Sequence, residues 1–317
     1  MVLMKILVFT TGGTIGSVSD GASIDVSSAQ SSAVAEMYLR EHSDVSFEIL
    51  SPVNILSECI SADDFNTLAA AVLREDYSPY DGVIVTSGSD NLGYISSFIG
   101  LLTSRLDIPV AIVAADLVLA DPTSNGYPNF CCAVELIRRG MKGSYVPYRN
   151  SDGVMYIHSA TDLRQADLSA DFYSFGGAYA VMDGNDMIPK KNYVQQTIPD
   201  VFDSEDLPRV TDSIAVIHPY PMLDYDLNLG GKRAVLHTLY HSSTLDSGRA
   251  IPFLRGMGKV PMYLASFRSG HELYRTAADT IAAGAIPLTD ISPECAYVKL
   301  LLAAAQDKLS IRGFMEA

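Results

Sequence analysis

Short apolar runs rich in Val, Ile and Leu alternate along this chain with longer stretches in which apolar residues recur every three or four positions. The first pattern predicts buried strands, and the second predicts helices with one face in a core. Strands are expected at 4–10, 45–50, 82–87, 109–114 and 153–158, and helices at 62–75, 91–104 and 127–140. Such alternation implies a parallel sheet covered on both faces. From Asp183 to Thr211 the sequence turns polar and proline-bearing, with Pro189, Lys190, Lys191, Pro199, Asp203, Glu205, Asp206 and Pro208, and reads as a linker. A second series follows, with strands at 213–217, 233–238 and 260–266 and helices near 248–257, 275–284 and 293–306. The expected organisation is therefore an N-terminal α/β domain over 1–190, a linker over 191–212 and a C-terminal α/β domain over 213–317.

Two of the apolar runs end in a way that bears on chemistry. Lys5 to Phe9 runs into Thr10-Thr11-Gly12-Gly13-Thr14-Ile15-Gly16, so a buried strand delivers paired glycines and then a hydroxyl to a sheet edge. Paired glycines permit positive φ and close backbone approach, and open α/β sheets bind ligands beyond the carboxyl ends of their strands. Thr14 is thus a candidate nucleophile; on this segment alone a tight turn stabilised by its hydroxyl explains the pattern equally well. A dinucleotide-binding turn fits less well, because G-G-T-I-G is not G-x-G-x-x-G. The run Gly82 to Thr86 ends likewise in Ser87-Gly88-Ser89-Asp90-Asn91, followed by the helical spacing Leu92, Ile95, Phe98, Ile99 and Leu102. Ser89 or Asp90 could cap that helix. Capping does not account for two strand ends that both offer hydroxyls, one with an acid attached, which together make a nucleophile constellation.

Composition narrows the partners. With 317 residues and 48% hydrophobic content, the chain can build two proper cores. A formal charge of −15 argues against nucleic acid or an anionic membrane, both of which call for a basic surface. No window approaches the length of apolar sequence needed to span a bilayer. Lys5 interrupts the N-terminal apolar run, which makes a poor signal peptide, so a cytoplasmic location is expected. Cys59, Cys131, Cys132 and Cys295 are scattered without C-x-x-C spacing, which gives neither a disulfide framework nor a zinc site. His237 and His241 share a four-residue spacing, but the surrounding residues read as a strand, where the two would lie roughly 13 Å apart, and no third ligand is in view. His218 and His271 follow strand ends and suggest a histidine-lined pocket in the second domain, with loop decoration the plainer reading. No cofactor and no metal are expected.

Taken in order, these segments resemble the bacterial-type L-asparaginase family, with spacing closest to its cytoplasmic branch. Thr11 to Gly16 is similar to the TGGTI(A/G) motif, and Thr86 to Asn91 is similar to THGTDT. Asn54-Ile55-Leu56-Ser57-Glu58 resembles the loop that serves the substrate's α-amino and α-carboxyl groups. Pro109 to Val113, Ser124 to Phe130 and Tyr274 to Ile286 resemble further family segments. The resemblance implies a two-domain fold with a larger N-terminal parallel-sheet domain and a smaller C-terminal α/β domain. It further implies that Thr14 attacks a side-chain amide carbon, Ser89 stands for the second hydroxyl, and Asp90 binds the substrate amine and orients that hydroxyl. Ser57, Glu58, Gly13 and Gly88 would line the substrate, and a homodimer or homotetramer would bring the stretch from Thr238 to Leu245 to a neighbour's site.

The departures from the family pattern are specific. A lysine is expected after the strand ending at His158, yet Ala160 to Asp171 contains none, and Arg164 is too basic to accept a proton. Ser87 replaces a histidine, Ser17 to Gln30 holds no aromatic residue, and Asp116 puts an acid beside the expected pocket. Positioned acid–base groups contribute about 10² to 10⁴ in rate, so loss of the lysine implies slow hydrolysis of asparagine unless another base reaches Ser89. Three functions stay open: an amidohydrolase acting on asparagine, one acting on another small amide, and a non-catalytic amino-acid-binding homologue.

Overall fold

The computed structural model describes residues 3–19, 24–26, 32–167, 170–191, 193, 209–306 and 315. It divides into two compact units, Met1–Pro208 and Arg209–Ala317. In the first, β1 (Met4–Thr10) leads through a hairpin of β2 (Ser17–Ser19) and β3 (Ile24–Val26) to α1 (Ala33–Glu41). The chain continues as β4 (Val45–Leu50), α2 (Ala62–Arg74), β5 (Gly82–Thr86), α3 (Leu92–Leu102), β6 (Pro109–Val113), α4 (Gly126–Arg138) and β7 (Gly143–Arg149). Three strands close the unit: β8 (Met155–Ser159), β9 (Ala180–Asp183) and β10 (Asp186–Pro189). All eight strands other than the β2–β3 hairpin form one sheet in the order β10-β9-β8-β7-β6-β5-β1-β4.

The strands β4, β1, β5, β6 and β7 run parallel, and β1 lies between β4 and β5. Successive crossovers therefore leave β1 in opposite directions, which makes the gap between β1 and β5 a topological switch point. One face of the sheet packs Ile6, Val8 and Ile84 against Tyr38 of α1 and Phe130 and Val134 of α4. Helix α3 is apolar nearly all round, and Leu92, Ile95, Phe98, Ile99 and Leu102 are all buried. Ser61 and Asp64 open α2 with a reciprocal capping box.

The parallel sheet expected from the sequence has an antiparallel extension. Strand β8 pairs with β7, β9 with β8 and β10 with β9, all antiparallel. Between β7 and β8 the chain reverses tightly, with Asn150 N–H on the Val154 carbonyl at 3.1 Å and Gly153 at positive φ, and no crossover helix fits there. The polar stretch that reads as a linker begins with the β9–β10 hairpin, whose Gly184-Asn185 turn supplies the backbone freedom such a connection requires. Within the remainder, 194–208 lie outside the described residues, as do 20–23 and 27–31 of the segment after the first glycine pair.

The second unit is a four-stranded parallel sheet, β11 (Ile214–Ile217), β12 (Ala234–Thr238), β13 (Met262–Phe267) and β14 (Ile286–Thr289), in that spatial order. Helix α5 (Ser247–Gly256) joins β12 to β13, α6 (Arg275–Ala282) joins β13 to β14, and α7 (Pro293–Ala304) follows. Ser292 caps α7 by accepting the Cys295 N–H. Its core gathers Ile217, Val235, Leu245, Met262, Leu264 and Phe267. Strand β12 stops at Thr238, so His237 and His241 do not share a strand as the sequence suggests; His241 sits in the following turn.

Candidate active site

The loops after β1, β4 and β5 meet at the switch point, backbone against backbone. Gly12 and Gly13 take φ of 97° and 77°, conformations that side chains disfavour. A Cβ on Gly13 would stand 2.2 Å from the Gly88 Cα, and one on Gly88 would stand 2.5 Å from both Cβ and Oγ of Ser57. Gly12 is equally confined, 2.4 Å from the Ile55 carbonyl by the same construction. Hydrogen bonds lock the arrangement. Gly13 N–H donates to the Ile55 carbonyl and Ile55 N–H to the Thr11 carbonyl, each at 3.1 Å, while the Thr11 hydroxyl donates to the Thr86 carbonyl at 2.9 Å. Ser17 Oγ holds the Gly13 carbonyl at 2.8 Å.

This packing brings together Gly13, Gly88 and Ser57, with Thr14 and Ser89 each one residue beyond a contacting glycine. Thr14 opens a single 3₁₀ turn, Thr14–Gly16, and is half-buried above the buried Ile15. Ser57 begins another short turn and is half-buried, whereas Glu58 is exposed. Ser89 is half-buried and its carbonyl accepts the Leu92 N–H at 3.2 Å; Asp90 is exposed. The N-cap of α3 is Asn91, and it makes no side-chain cap bond. Capping by Ser89 or Asp90 is thus not what the helix start uses. Asn91 instead donates its Nδ2 to the Ser57 carbonyl, tying the β4 loop to the β5 loop.

Two supporting residues carry no signal in the sequence. Asn91 lies inside the THGTDT-like segment, where nothing about its position points to a contact with the β4 loop. Gln165 lies in the lysine-free stretch, where its carboxamide reaches the first turn of α3 across 72 residues of sequence. Asp116, expected beside the pocket, makes hydrogen bonds within its own loop. Its Oδ1 accepts the N–H groups of Leu117 at 2.7 Å and Asn125 at 2.9 Å, and its own N–H donates to Asn125 Oδ1. That carboxylate closes the loop between β6 and α4. Among the described residues, no three His, Cys, Asp or Glu side chains gather as a metal site would require, and no helix is long and apolar enough to cross a membrane.

Two histidines are held neutral by burial. His237 is fully buried in β12, donating from Nδ1 to the Thr238 carbonyl and accepting the Tyr225 hydroxyl at Nε2, and desolvation pushes its pKa down to about 4. His158 in β8 pairs with Ser174 Oγ at 2.8 Å and is pushed down to about 3 by burial. Unfolding exposes both to water, where they titrate near 6.5, so below that pH the unfolded chain binds more protons and stability falls. The loss runs from about 6.5 down towards about 4 for His237 and about 3 for His158. Asp162, whose carboxyl burial pushes up, works in the opposite sense as pH drops through its raised value. Each histidine should cost at most about 1.4 kcal/mol per pH unit in this window. Thermal melts between pH 7 and 5 should show the decline, with a shallower slope in His237→Gln and His158→Gln; parallel slopes would contradict it.

Known proteins share this architecture. The sequence model of the family described as "Asparaginase, N-terminal" matches residues 5–182, more than half of the chain. The L-asparaginase of Thermococcus kodakarensis is 30% identical over 145 residues, which span 46% of this chain and 44% of that protein. A glutamyl-tRNA(Gln) amidotransferase component from Methanosarcina acetivorans is 29% identical over 96% of this chain and 75% of its own length. Among solved structures, the thermostable L-asparaginase from Thermococcus kodakarensis superposes with a TM-score of 0.75 at 22% identity, covering 99% of this chain and 97% of that one. The probable cytoplasmic L-asparaginase from Campylobacter jejuni gives 0.77 at 19% identity, covering 99% and 98%. The two-domain asparaginase-like α/β fold expected from the sequence is the fold observed.

Proposed function

Because the chain belongs to the asparaginase family, we propose that it hydrolyses a small side-chain amide, L-asparagine or a close relative, to the acid and ammonia with Thr14 as nucleophile. The observation that supports this reading is the Gly13–Gly88–Ser57 contact at the switch point, which leaves Thr14 and Ser89 each one residue beyond a contacting glycine. Thr14 Oγ1 attacks the amide carbon, and backbone N–H groups at Thr14 and around Gly88-Ser89 receive the developing oxyanion. Ammonia leaves, and water cleaves the resulting ester to return the threonine. Ser57 suits a substrate carboxylate. Glu58 and Asp90, acids on adjoining loops, suit its ammonium. The chemistry needs no cofactor, and the reading carries with it a cytoplasmic homo-oligomer, dimer or tetramer.

Asp90→Asn tests the pocket. If Asp90 holds the substrate ammonium, calorimetric titration with L-aspartate or L-asparagine should show affinity weakened about thirtyfold or more, the loss of about 2 kcal/mol expected when one member of a charge pair is removed. Unchanged affinity would remove Asp90 from the substrate site. Ammonia release over a panel of small amides tests the reaction and separates asparagine from other substrates.

A further inference from the structure

The chain from Ala160 to Gln165 runs alongside α3. Ser96 and Ser97 donate their hydroxyls to the Ala160 carbonyl at 2.9 and 3.4 Å, and Gly100 lets the two segments close up where a Cβ would stand 3.2 Å from the Ala160 side chain. At the other end the Gln165 carboxamide spans three backbone groups of the helix start. Its Nε2 donates to the Asp90 carbonyl at 2.5 Å and the Ser89 carbonyl at 3.3 Å, and its Oε1 accepts the Gly93 N–H at 3.3 Å. A carboxamide has two N–H donors and an acceptor oxygen, so one orientation serves all three. Neither Glu, which lacks the donors when ionised, nor Lys, which lacks the acceptor, could do the same.

Across a trans peptide the carbonyl and the following N–H point in opposite directions. Holding the carbonyls of Ser89 and Asp90 on one side therefore turns the N–H groups of Asp90 and Asn91 to the other, and fixes the peptide planes between which the Asp90 side chain departs. We propose that Gln165 is a positioning residue, setting Ser89 and Asp90 for the reaction through two carbonyl contacts and one amide contact. The inference rests on the reading of Thr14, Ser89 and Asp90 under the proposed function. Gln165 itself neither takes nor gives a proton, so its influence passes through the groups it holds. It does so from the stretch in which the family resemblance implies a lysine.

Gln165→Met keeps the length of the side chain and loses all three bonds; Gln165→Glu keeps the acceptor and, when protonated, regains one donor. Both should lower kcat/KM per folded molecule about 10- to 100-fold at neutral pH, as small misplacements of reacting groups do. The glutamate variant's deficit relative to the unmodified protein should narrow between pH 7 and 5, a change that a purely structural clamp would not give. Exchange at the Gly93 amide should quicken in the methionine variant. Wild-type kcat/KM in both variants would overturn the proposal, whatever happens to their melting temperatures. If the unmodified protein hydrolyses no amide, the proposed reaction fails, and L-aspartate affinity becomes the readout: weakened binding in both variants supports positioning, and unchanged binding overturns it. Should the methionine variant fail to fold, the glutamate variant's pH profile decides.

Discussion

Thr14→Ala should reduce amide hydrolysis by at least ~10³-fold, and by up to ~10⁶-fold, while the protein folds and melts almost as before. The range follows from what remains when a nucleophile is removed from an otherwise intact site: binding and the oxyanion donors still act, but no covalent intermediate forms. The fold should hardly notice, because the residue is half-buried at the start of a short turn whose anchors are the neighbouring Ile15, the Gly13 backbone and Ser17. Thr11→Ala is the informative contrast. Thr11 is buried and its hydroxyl holds the Thr86 carbonyl, so its loss should act through stability. Ammonia assays on folded protein, with melts alongside, separate the two; a Thr14→Ala protein that still turns over would remove Thr14 from the mechanism.

Gly13→Ala should be strongly destabilising, costing about 3 kcal/mol or more and abolishing activity. Two penalties combine. The backbone at Gly13 has φ of 77°, and the added Cβ would lie 2.2 and 2.3 Å from the Cα and N of Gly88, backbone atoms that cannot rotate away. Relief would require the β1 and β5 loops to part, which is the geometry the proposed reaction depends on. Gly88→Ala meets Ser57 at 2.5 Å and should push the β4 loop outward, with loss of substrate affinity ahead of loss of fold. Gly256→Ala is the control, since nothing lies within 4 Å of its Cβ position, and the change should be neutral or slightly stabilising. Denaturant titrations of the three variants give the comparison; a Gly13→Ala protein as stable as Gly256→Ala would contradict the tight contact.

Local signals explain which elements can be read from the chain. The apolar run Ile6 to Phe9 marks β1, and Val45, Phe47 and Ile49 alternate with polar residues along β4; the structure keeps the expected limits of both. Helix α2 is announced by the Ser61–Asp64 capping box and α7 by Ser292 followed by Pro293. Strand β7 is hidden because Pro147 and its polar neighbours break the apolar pattern, although the strand is buried between two partners. Strand β14 hides for the same reason, being four residues long with Pro287 inside it. The hairpin β9–β10 hides in charge and proline, as an exposed edge tends to.

At the site the glycines are legible because each answers to a local rule about backbone freedom. The clamps are not. Asn91 holds a carbonyl 34 residues away and Gln165 one 75 residues away, and no periodicity or spacing records such a contact. The loop contacts of Asp116 are equally silent in the sequence: only the fold shows that two backbone amides share its Oδ1.

Steady-state ammonia release at neutral pH, from L-asparagine, L-glutamine and other small amides, tests the central claim most directly when run on folded, homogeneous protein beside its Thr14→Ala variant. The account predicts release of ammonia from at least one of these amides in step with the acid, and none from the variant. Absence of release from every amide, in a protein that still binds L-aspartate, would contradict it and leave the site as that of a binding protein.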